Sequence, residues 1–230
     1  MKLIYALTSD SAGLLLSEAL RESLRAAGAT DVQANVPDPA FAEAMALQSF
    51  PEKVTGLLTV WGEDEAAITS AVTVAVTDAL GLDALVGGWE VEERVPLTPP
   101  SVPDGERVAS MANLALLRKP ADLPYADWLA HWHGPHTTVA IETQDTFGYV
   151  QNRVLHAVLA PSAASEQVAA IVEELFHEAA ATDLHVFYGS GGDKAELKRR
   201  LSEMMASIAV FGADRDLELV NTARYSWKLG

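Results

Sequence analysis

The sequence predicts an α+β fold in which one plan, β-α-β-β-α-β, is laid down twice. Three observations carry this expectation. Residues 96–105 read Pro96-Leu97-Thr98-Pro99-Pro100-Ser101-Val102-Pro103-Asp104-Gly105, with four prolines that neither a helix nor a central strand absorbs, so this stretch is a linker. It leaves residues 1–95 and 106–230, each long enough for a small domain. Within each part, the apolar spacing switches between the strand period of two and the helix period of 3.6 in the same order.

In the first part, Lys2–Thr8 is an apolar, β-prone run that turns polar at Ser9-Asp10, which predicts a first strand. Leu14, Leu15, Ala19, Leu20 and Leu24 recur at helical spacing, with Gly28 placed as a C-terminal stop. Val32–Val36 and Val54–Trp61 read as strands around the loop Pro37-Asp38-Pro39. Ala67, Ile68, Ala71, Val72, Ala75 and Ala79 predict a second helix ended by Gly81, and Trp89–Val95 alternates as a half-exposed strand.

After the linker, Arg107–Leu117 is a strand, Tyr125–Ala140 a helix and Gly148–Leu159 a long strand. An added helix is expected over Ser165–Ala180, with Val168, Ile171, Val172, Leu175 and Phe176 on one face. Leu184–Tyr188 reads as a short strand and Gly189–Gly192 as a turn. Leu197, Leu201, Met204, Met205 and Ile208 then line a helix, and Leu217–Lys228 closes the unit as a strand.

A unit of this order is ferredoxin-like: a four-stranded antiparallel sheet with both helices on one face. The bare face must be buried, and a tandem copy can bury it. The expected fold is therefore two fused ferredoxin-like halves whose antiparallel sheets pack face to face as an intramolecular dimeric-type α+β barrel. The first half is expected to act as scaffold.

Composition narrows the function. A net charge of −16 argues against nucleic acid and against an anionic membrane, since phosphate contacts need clustered Lys and Arg. The acidity is spread: 5 basic and 15 acidic residues lie in 1–100, and 11 and 17 in 101–230. With no cysteine, disulfides, thiolate catalysis and thiolate metal sites are out of reach, and a cytoplasmic location is expected. The opening apolar run is too short for a signal peptide, and nothing later approaches a membrane span.

All six histidines lie after the linker. Three sit in the dense segment Tyr125-Ala126-Asp127-Trp128-Leu129-Ala130-His131-Trp132-His133-Gly134-Pro135-His136. Trp128, Trp132 and His136 fall at i, i+4 and i+8, one face of a helix. Pro135 lacks a backbone N–H and predicts a kink that could aim His133 or His136 into a cavity. In the following strand Tyr149, Gln151 and Arg153 face one way, and Val150, Asn152 and Val154 the other. As a metal site the segment is poor, because His131 and His133 point to different sides and only Asp127 is a nearby carboxylate.

Leu116-Leu117-Arg118-Lys119-Pro120, the pair Trp128 and Trp132, His136, Tyr149-Val150-Gln151-Asn152 and Gly212-Ala213-Asp214 together resemble the EthD family in order and spacing. The likeness spans roughly residues 107–228; the first half agrees only in topology. The resemblance implies a dimeric α+β barrel. It also implies either breakdown of ether-type xenobiotics or dehydration of polycyclic phenols in polyketide pathways, in a family where many members have no known activity.

These readings converge on a cofactor-independent lyase, a dehydratase, acting on a hydrophobic aromatic or polyketide-like small molecule. His136 would be the general acid or base and His133 would share its proton or orient it. Tyr149 and Asn152 would hold a phenolic or carbonyl oxygen, with Asn113 as a further polar candidate in an apolar strand. Trp128 and Trp132 would wall the pocket. The alternatives are a cofactor-free oxygenase of the same barrel type and a non-catalytic protein binding an apolar ligand. No metal or cofactor is expected, and the tandem chain could pair as a homodimer.

Overall fold

A computed structural model describes residues 1–8 and 12–230; the expected polar turn at Ser9-Asp10 lies outside the described residues. Eight strands close into one antiparallel barrel in the order β1-β3-β2-β8-β5-β7-β6-β4. In chain order the elements are β1 (Lys2–Thr8), α1 (Ala12–Leu15), α2 (Glu18–Ala26), β2 (Ala29–Val36), β3 (Val54–Gly62), α3 (Ala66–Leu80) and β4 (Leu85–Leu97). After the linker come β5 (Met111–Arg118), α4 (Tyr125–His131), a π-helical turn (Trp132–His136), α5 (Thr137–Thr143) and β6 (Gly148–Leu159). The chain ends with α6 (Ala163–Glu166), β7 (Val168–Phe176), α7 (Leu184–Phe187), α8 (Lys194–Phe211) and β8 (Glu218–Lys228).

The alternation of side chains sorts the core into layers. Ile4, Ala6, Leu57, Val86, Trp89, Leu114, Leu116, Ile171 and Val220 come from strands all round the barrel and meet inside it. Their neighbours Leu3, Tyr5, Val32, Leu58 and Val60 face outward under Leu20, Leu24, Val72 and Val76 of α2 and α3. Leu117, Tyr149, Ala170 and Val172 do the same under Trp128, Trp132, Ala140, Met204 and Phe211. The two four-strand runs join edge to edge: β4 pairs with β6, and β2 with β8. This is closure by hydrogen bonding rather than two sheets merely stacked, and it removes every free strand edge.

Two expected elements are corrected. Val168–Phe176 is the strand β7, paired on both sides with β5 and β6, and not a helix. A strand buried on both faces carries apolar residues at every register, and such a run mimics a helical face. Leu184–Phe187 is a helical turn rather than a strand; the Asp183 side chain accepts the His185 backbone N–H and caps it. At smaller scale, β4 runs through Pro96 to Leu97, into the expected linker, and β5 begins only at Met111. The first expected helix is broken at Ser17, whose hydroxyl accepts from Leu20 N to start α2 afresh. α8 ends at Gly212, whose φ of 74° and contact with Pro120 leave no room for a side chain.

Candidate functional site

The helical segment over β6 and β7 is opened by Pro135. Without a proline N–H the local α-ladder fails, and the chain relaxes into a π turn from Trp132 to His136. The freed carbonyls find other donors. Thr137 Oγ1 donates to Trp132 O at 2.9 Å, and Arg94 Nη1, from β4, donates to His133 O at 2.7 Å. Gln151 ties this turn to the sheet, since its Oε1 accepts from Arg94 Nη1 at 2.8 Å. Its Nε2 donates to Thr137 Oγ1 at 3.0 Å and to the Tyr149 hydroxyl at 2.9 Å.

The turn rolls His136 inward. Its ring is buried, packs on Phe211 at 4.6 Å between centroids, and shares a hydrogen bond between Nδ1 and Ser207 Oγ at 3.0 Å. Nε2 has no partner among the described residues. Burial, with His131 nearby, pushes the His136 pKa down to about 4, so the imidazole is neutral at neutral pH.

His136 lines a cavity of about 300 Å³ between β5, β7 and β6 on one side and α8 with the π turn on the other. Trp132, Tyr149 and Asn113 line it too, as do Leu117, Val172, Met204, Ile208 and Phe211. The opposite wall carries Glu174, a residue that sequence reasoning missed. Glu174 stands in register with Asn113 on β5 and with Tyr149 on β6, so three polar side chains form one row across the sheet. Its Oε1 is enclosed and has no hydrogen-bond partner among the described residues, and burial raises its pKa to about 7. Among the described residues one further enclosed polar atom lining the cavity lacks a partner, Gln144 Oε1, while the Trp132 side chain interacts with the Tyr149 hydroxyl. Tyr149 stays protonated, because burial and the Glu174 charge both raise its pKa.

The other expected site residues lie elsewhere. Trp128 is fully buried among core side chains and does not reach the cavity. His133 packs tilted against Trp132 at 4.5 Å between ring centroids and does not line the cavity; burial and then Arg94 and Arg153 lower its pKa. Asn152 sits on the inner face of β6 with Val154, donating from Nδ2 to Ile171 O at 3.0 Å inside the barrel. It has the wrong strand parity for the cavity, while Tyr149 has the right one. Asn113 is held by donation from Nδ2 to Asn221 Oδ1 at 2.8 Å. The signal for Glu174 was in the sequence: read as a strand, Glu173-Glu174 sends one carboxylate to each side. Read as a helix, both look solvated.

The first half also contributes. Met45 and Leu47 line the cavity from the loop that leads to β3. That loop is clipped to β8 by paired backbone bonds between Leu47 and Leu219, and by Glu218, whose Oε2 accepts from Ser49 N and Phe50 N. Among the described residues no three His, Cys, Asp or Glu side chains converge as metal ligands. No described helix is long and apolar enough to cross a membrane.

No family model and no curated protein matches this chain. Solved structures do. The whole chain superposes on 93% of an anthrone oxidase-like protein with a TM-score of 0.58 at 11% identity. A candidate monooxygenase from Lactobacillus acidophilus is matched over 100% of this chain and 96% of that one, with a TM-score of 0.46 at 9% identity. Another, from Fusobacterium nucleatum, gives 99%, 91%, 0.44 and 9% in the same order. At such identities the likeness is one of fold: a mixed α+β protein built on a closed barrel.

Proposed function

We propose that this protein is a cofactor-free oxygenase for an apolar aromatic or polyketide-like small molecule with an acidic C–H bond. The observation that carries the reading is the unpartnered Glu174 carboxyl, raised to about pKa 7 in an apolar cavity. A base tuned near the working pH is most effective at taking a carbon-bound proton. His136, Trp132 and Tyr149 line the same cavity, and in this reading the His136 imidazole and the Tyr149 hydroxyl stabilise the oxygen on which negative charge develops. The resulting carbanion is itself the reductant for dioxygen. A new C–O bond forms, and the net change from R₂CH₂ and O₂ is R₂C=O and H₂O.

An apolar cavity suits both dioxygen and such a substrate. Dehydration asks for more, because the leaving hydroxyl needs an acid while a second group takes the proton. Neutral His136 is a poor acid, although Glu174, half-protonated near neutrality, favours dehydration as the second reading. The fold likeness to the anthrone oxidase-like protein supports the oxygenase reading. Membership of the EthD family over residues 107–228, and two fused ferredoxin-like halves spanning 1–95 and 106–230 around the linker 96–105, remain part of this proposal. The strand order β4-β1-β3-β2, repeated as β8-β5-β7-β6, supports it.

The test is oxygen uptake with anthrone as probe substrate. One O₂ should be consumed per ketone formed, and Glu174→Gln should lower the rate on the order of a hundredfold. No oxygen uptake with anthrone would overturn the oxygenase reading, and anthrone bound but recovered unchanged would point to a carrier protein.

A further inference from the structure

A second cavity of about 250 Å³ adjoins the first, and four residues wall both: Met45, Asn113, Phe187 and Tyr188. Asn113 is locked to Asn221, and Tyr188 is buried, so neither yields easily. Met45 differs. Asn221 Nδ2 holds its carbonyl at 2.8 Å, yet its side chain is 65% exposed, and an unbranched thioether changes rotamer at little cost. Beyond this partition the chamber is lined by Met111 and by Ala180 and Ala181, whose methyl side chains leave the space open, and it is rimmed by exposed Thr182. Among the described residues only Glu43 at the rim and the Tyr188 phenol, which burial keeps protonated, are titratable groups of its lining, so it offers burial and little chemistry.

We infer that this chamber is an extension subsite that takes an unbranched alkyl substituent of the substrate, with Met45 as its movable wall. The inference rests on the reading that the reacting ring occupies the cavity between His136 and Glu174. Specificity for substituent length would then come from the first half of the chain, through a loop pinned to β8.

The experiment is calorimetric titration of the wild-type protein with 4-methylphenol, 4-pentylphenol and 4-octylphenol. Affinity should rise up to roughly fourfold per buried methylene until the chamber is full. Thr182→Trp, at an exposed rim position, should remove that rise and leave 4-methylphenol binding unchanged; Leu184→Trp provides a second block at another exposed position. Met45→Ala should shift the preference toward bulkier substituents. The same length dependence in all variants, or none in the wild type, overturns the inference. Length-dependent binding that the blocks abolish, with 4-methylphenol itself not bound, supports the chamber while counting against the ring position. No binding by any member overturns both.

Discussion

Glu174 and His136 illustrate how one cavity separates two titrating groups. Burial disfavours the charged form of each, so the carboxyl moves up to about 7 and the imidazole down to about 4. Their effects on stability have opposite signs. The folded state holds the Glu174 proton more tightly than the unfolded chain does, so stability falls as pH rises from about 4.5 to about 7 and is level above. His136 binds its proton less tightly when folded, so stability is lost as pH falls from 6.5 to about 4. Glu174→Gln should therefore stabilise the protein at pH 8 by up to about 3 kcal/mol and change little at pH 4, as read by urea unfolding. His136→Ala should flatten the acid limb. If His136 holds the substrate oxygen, it should also lower turnover more than it lowers the folded fraction. His136, Trp132, Tyr149 and Asn113 were named from residue type and spacing and line the cavity, whereas His133, Trp128 and Asn152, named with them, do not. Glu174 was not named, because its visibility depended on knowing that β7 is a strand.

Among the elements, the π turn does most to position the site. Pro135 announces the break, but the sequence could not say which groups would answer the freed carbonyls. The donor to His133 O is Arg94 on β4, far away in the chain, and Gln151 of β6 braces both Arg94 and Thr137. Removing Arg94 leaves Oε1 of the buried Gln151 without its donor, which costs about 1–3 kcal/mol, while the exposed His133 O can turn to water. Arg94→Ala should thus destabilise the protein by that amount and speed amide hydrogen exchange around residues 132–137. An unchanged exchange pattern there would show that the turn holds without Arg94. β7 and α7 show why local pattern failed. The first is apolar on both faces, as central strands are, and the second is a single turn decided by one Asp183 cap. The long strands β1, β3 and β6, by contrast, followed the sequence to within a residue, because β-branched runs bounded by turns leave little choice.

At the scale of the whole molecule, the two runs of four strands complete one another. β2–β8 and β4–β6 are the seams, and each half alone would present two unpaired edges. Residues 106–230 expressed alone should aggregate or self-associate rather than give a cooperative monomer in sedimentation and thermal unfolding. The linker and the repeated element order made a barrel legible in advance. That β2–β8 and β4–β6 are hydrogen-bonded, and that the loop before β3 walls the cavity over β5 and β7, are long-range facts that no local pattern encodes. The account as a whole turns on a carboxyl group that titrates near neutrality inside that cavity. Difference infrared spectroscopy across a pH series measures this without any substrate. A protonated-carboxyl band that disappears with an apparent pKa of about 7, and is missing in Glu174→Gln, is the expected result. If every carboxyl that titrates in the wild type also does so in the variant, with none near neutrality, the assignment of Glu174 as the base is wrong.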